Sequence, residues 1–470
     1  MDHVIAIDFG STYTKGVLFD CGTASVVAIA YTPSTVGTDI TIGLRQVLAV
    51  LRERSGARLE RVPAVACSSA AGGLRVAVIG LVPVLSLEAA QRAALGAGAR
   101  IVGAYGYKLT KRMLAELESS QPDIVLLAGG TDGGDEQNIL HNAAVLADSA
   151  ASAPIIVAGN QCAREECISL LRGAGKVAFA TENLLPDIDR IEAGPVHDII
   201  RELFIGRITH AKGIDRARDY LDLVSDIIPT PSAVLEAARL IAEGTQGSPG
   251  IGDTLVVDVG GATTDVYSVA SGAPSRPGVV VRGLPELPLK RTVEGDLGMR
   301  INATSIVERC GCDDLLALAV SAGATTTLAP ADMNAYAMRI STRTDHLPGS
   351  AEERAIDHAL GRAAVRTAVR RHAGTLREIY TPAGFALVQE GKDLTDVAAV
   401  VGVGGVLAHG GNARFVLEGA LAERDDAFSV LPRHPALYLD RQYVLYGVGL
   451  LSAISPKAAL AIAREVLVPL

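Results

Sequence analysis

The chain has 470 residues, too many for one ordinary hydrophobic core, so two or more domains are expected. Hydrophobic residues make up 49%, which excludes a disordered chain. A formal net charge of −9 argues against nucleic acid or an anionic membrane as the main partner. No basic and then apolar leader precedes the first strand, and the longest apolar stretch, near Val76 to Leu87, is broken by Gly80 and Pro83. A cytoplasmic protein without a secretory signal or membrane span is therefore expected. Cys21, Cys67, Cys162, Cys167, Cys310 and Cys312 form no C-x-x-C pair and no ordered cluster with His. Free thiols in a reducing compartment are expected ahead of zinc or disulfides.

Three strand-like runs follow one another from Val4 to about Ala30, with a turn at Asp20–Gly22. Apolar residues at helical spacing run from Ile40 to Arg54 and stop at Gly56, and another strand is predicted around Val62 to Ser68. From about Ser86 to Leu221, apolar runs at Asp123–Ala128, Pro154–Gly159 and Lys176–Ala180 alternate with helical patterns at Ile139–Ala150 and Cys162–Gly173. That alternation predicts parallel strands with crossover helices, an α/β unit inserted into the first lobe. A helix from Ser232 to Gly244 and a loop rich in Gly, Ser and Pro lead to a third region, which closes with helices at Tyr446–Ile454 and Lys457–Val466. The predicted division is 1–85 for the first part of an N-terminal lobe, 86–221 for the insert, 222–250 for a connecting helix and linker, and 251–470 for a C-terminal lobe with its closing helices. No repeat of roughly 20–50 residues is visible, so a solenoid is not expected.

Three glycine motifs carry the chemistry. In VIAIDFGSTYTKGVLFD an apolar strand ends at Asp8, turns through Gly10, Ser11 and Thr12, and returns after Lys15. Backbone N–H groups and hydroxyls in such a turn can wrap phosphate oxygens, Lys15 can neutralise charge, and Asp8 can hold the water shell of Mg²⁺. TLVVDVGGATTDVYSV repeats the pattern, with Asp258 before the turn, Gly260 and Gly261 in it, and Thr263 and Thr264 adding hydroxyls. Asp258 suits a Mg²⁺-water ligand or the orientation of an attacking water. Late in the chain, VVGVGGVLAHGG places Gly402, Gly404 and Gly405 after a strand, where bare backbone lets a purine and ribose lie flat. A fourth glycine-rich run, LLAGGTDGGDE at Leu126–Glu136, reads either as a ligand or partner site or as a close-packed strand-to-helix turn.

In order and spacing, the first three motifs resemble the phosphate-1, phosphate-2 and adenosine motifs of the actin, sugar kinase and heat-shock chaperone ATPase superfamily. The resemblance implies duplicated ribonuclease H-like lobes closing on Mg-ATP, and two connecting helices rich in small residues. The candidates are the helix with Ala233, Ala237 and Ala238 and the one with Gly447, Gly449 and Ala453. The chain most resembles MutL-type accessory proteins of glutamate mutase, unrelated to the mismatch-repair protein of similar name. AIDFGSTYTKGVLFD, LLAGGTDGGD, VVDVGGATTDVYSV and RTVEGDLGMR carry that likeness. It implies an ATPase chaperone or reactivating factor for an adenosylcobalamin-dependent mutase.

Heat-shock ATPases carry a catalytic Glu just before the proline of the first connecting helix; here Thr230 precedes Pro231. Hydrolysis is then slow, or another carboxylate serves, with Glu294 and Asp296 as candidates and Glu294 taken as the water-positioning group. The exposed acidic residues Asp132, Asp135 and Glu136 are a candidate partner contact. A small-molecule kinase and an actin-like filament or scaffold protein are the competing readings, and the sequence leaves the oligomeric state open.

Overall fold

The computed structural model describes residues 2–10, 13–35, 38–59, 61–69, 74–211, 215–325, 328–382 and 384–470, with backbone only for 207–211 and 215. The chain divides into two compact units. Unit 1 comprises Met1–Val234, Gly283–Leu287 and Ala453–Ala458; unit 2 comprises Leu235–Arg282, Pro288–Ser452 and Ala459–Leu470.

Unit 1 opens with an antiparallel meander of β1 (His3–Phe9), β2 (Tyr13–Asp20) and β3 (Ser25–Pro33). Helix α1 (Ile40–Ser55) starts at Asp39, whose carboxylate accepts from Thr41 N–H, and stops at Gly56, which takes a left-handed φ of 65°. Its buried Ile40, Leu44, Val47 and Leu51 recur at helical spacing and enter the core. β4 (Pro63–Ser68) then pairs parallel to β1. The chain leaves this sheet to build a second one from β5 (Arg75–Gly80), α2 (Glu88–Gly96), β6 (Arg100–Gly106), α3 (Lys111–Ser120) and β7 (Ile124–Leu127). It is completed by α4 (Gln137–Ala147), β8 (Ile155–Val157), α5 (Gln161–Gly173) and β9 (Ala178–Ala180). All five strands are parallel, in the order β6-β5-β7-β8-β9. This is the α/β alternation expected from sequence, but the sheet begins at Arg75, upstream of residue 86. After α6 (Gly194–Ala211), β10 (Asp222–Leu223) and β11 (Ile228–Pro229) return to pair parallel with β4, and α7 (Thr230–Glu243) carries the chain into unit 2.

Unit 2 begins with a short hairpin of β12 (Gly244–Thr245) and β13 (Ser248–Pro249). Its main sheet comprises β14 (Thr254–Val259), β15 (Thr264–Val269), β17 (Leu289–Glu294), β20 (Ala399–Val403), β21 (Ala436–Asp440) and β22 (Leu467–Pro469), in the order β17-β15-β14-β20-β21-β22. Between β15 and β17 lies β16 (Val279–Arg282). Helices α8 (Ala303–Cys310), α9 (Cys312–Ser321), α10 (Pro330–Thr342) and α11 (Ala351–His372) fill the long connection that follows β17. Strands β18 (Thr375–Thr381) and β19 (Gly384–Glu390) then join β16 in a separate sheet, ordered β16-β19-β18. α12 (Gly405–His409) and α13 (Ala413–Leu417) follow β20, and α14 (Leu445–Ser452) and α15 (Pro456–Val466) close the chain.

The two main sheets share one topology. β3-β2-β1-β4-β10 in unit 1 and β17-β15-β14-β20-β21 in unit 2 are each an antiparallel meander followed by strands parallel to its first strand. The duplicated ribonuclease H-like arrangement expected from the paired motifs is therefore present. Among the described residues no helix is long and apolar enough to cross a membrane.

Candidate phosphate and nucleotide site

Asp8 is the last but one residue of β1 and only 1% exposed. A carboxylate buried to that extent requires polar partners. The register supplies two, because Lys15 on β2 and Cys67 on β4 lie directly opposite Asp8 on either side. Lys15 Nζ stands 3.2 Å from Oδ2, and the Cys67 thiol donates to Oδ1 at 3.6 Å. The first residue of α7, Thr230, donates its hydroxyl to Oδ1 at 2.7 Å. Burial, reinforced by Asp8 itself, pushes the Cys67 thiol well above its ordinary range, so it stays protonated and donates. Gly10 N–H donates to Tyr13 O at 3.0 Å, closing the turn, and a Cβ at Gly10 would sit 2.5 Å from that oxygen. Ser34 Oγ donates to Gly10 O at 2.8 Å. The predicted ligands Ser11 and Thr12 lie outside the described residues.

The unit 2 hairpin repeats this construction. Asp258 is again the last but one residue of its strand, and Gly260 N–H donates to Thr263 O at 2.9 Å, as Gly10 does to Tyr13. The residue opposite Asp258 on the return strand is Asp265, where unit 1 has Lys15. Arg291 Nη2 answers Asp265 at 2.7 Å, and Thr263 donates to its second oxygen at 2.9 Å. The V-E-G-D-L-G-M-R run braces the turn from outside. Met299 N–H donates to Gly260 O at 3.0 Å, and the N–H groups of Arg300 and Ile301 donate to Gly261 O at 2.9 Å each. Two predicted phosphate-contacting hydroxyls have other duties: Thr263 donates to Asp265, and Thr264, fully buried, donates to Leu297 O at 2.7 Å.

The three late glycines separate by role. Gly402 is buried within β20, where a Cβ would meet Leu407 and Leu417 at 3.0 and 3.3 Å. Gly404 has a φ of 110° and packs on the second hairpin; its Cβ would lie 2.4 Å from Val259 O and 3.0 Å from Asp258 Oδ1. Gly405 is exposed, and a Cβ there would meet nothing within 4 Å. The structure thus joins the late glycine turn to Asp258 and leaves Gly405 as its outward surface.

Glu294 is not brought to Asp258. Strand alternation places Asp258 and Asp265 on one face of the sheet and Thr264 and Glu294 on the other. Burial raises the Glu294 carboxyl, while Arg371 at 2.5 Å opposes that shift. Arg371 also holds Asp296 at 2.8 Å. Both candidate carboxylates are therefore engaged by one guanidinium on α11, and a water-positioning role for Glu294 conflicts with its placement. The acidic turn after β7 is exposed yet tightly braced. Asn160, fully buried, accepts from Gly133 N–H at 3.1 Å and donates to Gly134 O at 3.2 Å. Asn183 Nδ2 donates to Asp132 Oδ1 at 2.8 Å. Sequence reasoning missed Cys67 and Thr230 as partners of Asp8; the only signal was Thr230 standing where a carboxylate was expected.

Two ribonuclease H-like sheets, each with a penultimate Asp on its first strand followed by a glycine turn, and a third glycine turn packed on the second Asp, define an actin-like fold. A profile of the MutL protein family matches residues 4–467. The chain is also 42% identical over 477 residues to Protein MutL of Clostridium tetanomorphum, covering 100% of both. It belongs to the MutL family. Among solved structures, nucleotide-free acetone carboxylase aligns with 96% of this chain and 70% of its own at a TM-score of 0.40 and 11% identity. The activator of 2-hydroxyisocaproyl-CoA dehydratase from Clostridium difficile, with bound ADPNP, aligns with 99% and 95% at 0.32 and 11%.

Proposed function

We propose that this protein binds and slowly hydrolyses Mg-ATP and uses the cycle to reactivate an adenosylcobalamin-dependent mutase such as glutamate mutase. The observation that carries the ATPase reading is the repeated hairpin, with Asp8 and Asp258 at equivalent strand positions and the same glycine-closed turn beside each. In this reading the residues binding phosphate are Gly10, Ser11, Thr12 and Lys15 together with Gly260 and Gly261, and Gly405 offers its bare backbone to the adenosine. The donor set suits the metal: Asp8 and Asp258 are hard oxygen ligands able to hold Mg²⁺ through its waters. When bound, the ion neutralises charge on the phosphate oxygens. Lys15 and Thr230 hold the Asp8 carboxylate in one orientation, so that it need not reorganise when nucleotide arrives.

Thr230 supplies a hydroxyl where a carboxylate base would stand, which supports turnover at or below about 1 s⁻¹ without a partner. The mutase partner rests on the MutL-type resemblance. An ATPase can act on a bound protein only if its nucleotide states differ in affinity for that protein. The test mixes cyanocobalamin-blocked glutamate mutase, this protein, Mg-ATP and free adenosylcobalamin and follows mutase turnover. Recovery is expected with ATP alone; equal recovery with ADP or without the protein refutes the reading, and phosphorylation of a small metabolite favours a kinase.

A further inference from the structure

The small sheet of unit 2 leaves part of one face open: Tyr380 and Phe385 at the hairpin tip and Val281 on the edge strand are exposed, whereas Leu376 and Gln389 on the same face are buried. Register places Tyr380 opposite Phe385, and Glu378, Leu387 and Val279 in the next row, so these side chains share one face. Tyr380 and Phe385 are 79% and 74% exposed and stack edge to face with centroids 5.5 Å apart. They are the two most exposed aromatic side chains among the described residues. Val281, one row further on the same face, is 53% exposed. The opposite face carries the exposed Val280 and Ile379 together with charge: Arg377 and Arg282 both reach Glu390 there, at 2.8 and 3.7 Å. The apolar face therefore carries one charge, the Glu378 carboxylate, and no cation.

We infer that this face, built from Tyr380, Phe385, Leu387, Val279 and Val281 around Glu378, docks a protein partner that presents an apolar helix face bearing a lysine or arginine. Charge complementarity selects the occupant. A second copy would bring the same face, with a carboxylate and no cation to answer Glu378. An anionic membrane would meet that carboxylate with like charge. Exposed aromatic side chains are among the residues that most often carry binding energy in protein interfaces. The inference rests on the functional reading above.

The experiment measures binding of the full chain to purified glutamate mutase by interferometry, with Mg-ATP and with Mg-ADP. Tyr380→Ser/Phe385→Ser is expected to weaken binding at least tenfold, and Glu378→Lys at least tenfold with Glu378→Gln between it and wild type. The circular dichroism spectrum and basal ATP turnover should be unchanged in all three, because none of these side chains belongs to the nucleotide site. Wild-type affinity in the double variant overturns the inference while leaving the mutase reading intact. Failure of the unmodified protein to bind the mutase overturns that reading and this inference with it. Self-association in sedimentation, lost in the double variant, would assign the face to a second copy. Wild-type binding to phosphatidylcholine–phosphatidylglycerol vesicles, lost in the same variant, would assign it to a membrane. Either result refutes the protein-partner assignment.

Discussion

Gly404→Ala and Gly405→Ala differ by one position and should fail in different ways. At Gly404 the backbone has φ 110° and ψ 156°, a region open essentially to glycine alone. Forcing alanine there costs about 1–3 kcal/mol for the backbone. The added Cβ would also sit 2.4 Å from Val259 O and 2.9 Å from Val259 C. Those atoms belong to a central strand of the main sheet and cannot swing aside as a side-chain tip would. Overpacking of this kind adds about 1–3 kcal/mol, so a loss of roughly 3 kcal/mol or more is expected. Gly405 is the first residue of α12 and has open space around it, so Gly405→Ala should leave stability unchanged or raise it by up to about 1 kcal/mol. If the adenosine lies on Gly405, however, the methyl group intrudes on it. A tenfold loss of ATP affinity, about 1.4 kcal/mol, is then expected. Urea unfolding followed by far-ultraviolet circular dichroism reads the first effect, and titration calorimetry with Mg-ATP reads the second. Wild-type stability in Gly404→Ala would refute the packing argument. Wild-type nucleotide affinity in Gly405→Ala would remove the adenosine assignment.

Asp8→Ala and Asp258→Ala should each abolish Mg-dependent nucleotide binding or turnover with the fold retained; unchanged calorimetric affinity and turnover in both would sink the site. Glu294→Gln should leave single-turnover hydrolysis at the wild-type rate, since Glu294 lies on the sheet face away from Asp258 and pairs with Arg371; a slower rate at unchanged affinity would restore its catalytic candidacy. His372 is fully buried, with Nε2 2.8 Å from Ser268 Oγ and Nδ1 2.9 Å from Thr292 Oγ1, and burial, then the Lys290 and Lys392 charges, holds its pKa well below the usual imidazole value. The unfolded chain then binds the proton more readily below about pH 6.5, so this group leaves stability intact above that pH and lowers it as pH falls. His372→Gln should flatten that part of the stability–pH profile; an unaltered slope in urea titrations would show that another group is responsible.

The two Asp hairpins and the late glycine turn are legible in sequence because each demands a rare combination: an apolar strand, a carboxylate at the end of it in the hairpins, and backbone with no Cβ. Their supports were not. Cys67 and Thr230 reach Asp8 from 59 and 222 positions away, and only pairing register reveals them. Register also decides which face a strand residue takes, so the placement of Glu294 on the face away from Asp258 cannot be read from its position beside the braced turn. Helices α8 to α11 went unassigned. In α11 the consecutive residues from Ala355 to Leu360 are all buried, which removes the periodic contrast that marks an amphipathic helix. The parallel sheet was read from its last three strands; its first, at Arg75–Gly80, was taken only as part of an apolar stretch.

Unit 1 is assembled from three separated stretches of chain, and this governs how it can be made. Leu284 is buried in its core at 3% exposure, and Glu286 pairs with Arg92 at 2.8 Å, yet both residues follow a long passage through unit 2. The last contribution, Ala453–Ala458, follows a second and longer passage through unit 2. At roughly 5–20 residues per second, a ribosome delivers the first 234 residues many seconds before the last of the pieces that complete their core. The early segment therefore waits, incompletely packed, until those pieces emerge, and neither unit can be obtained by cutting the gene once. Folding of this protein is better followed on the released full-length chain than on fragments.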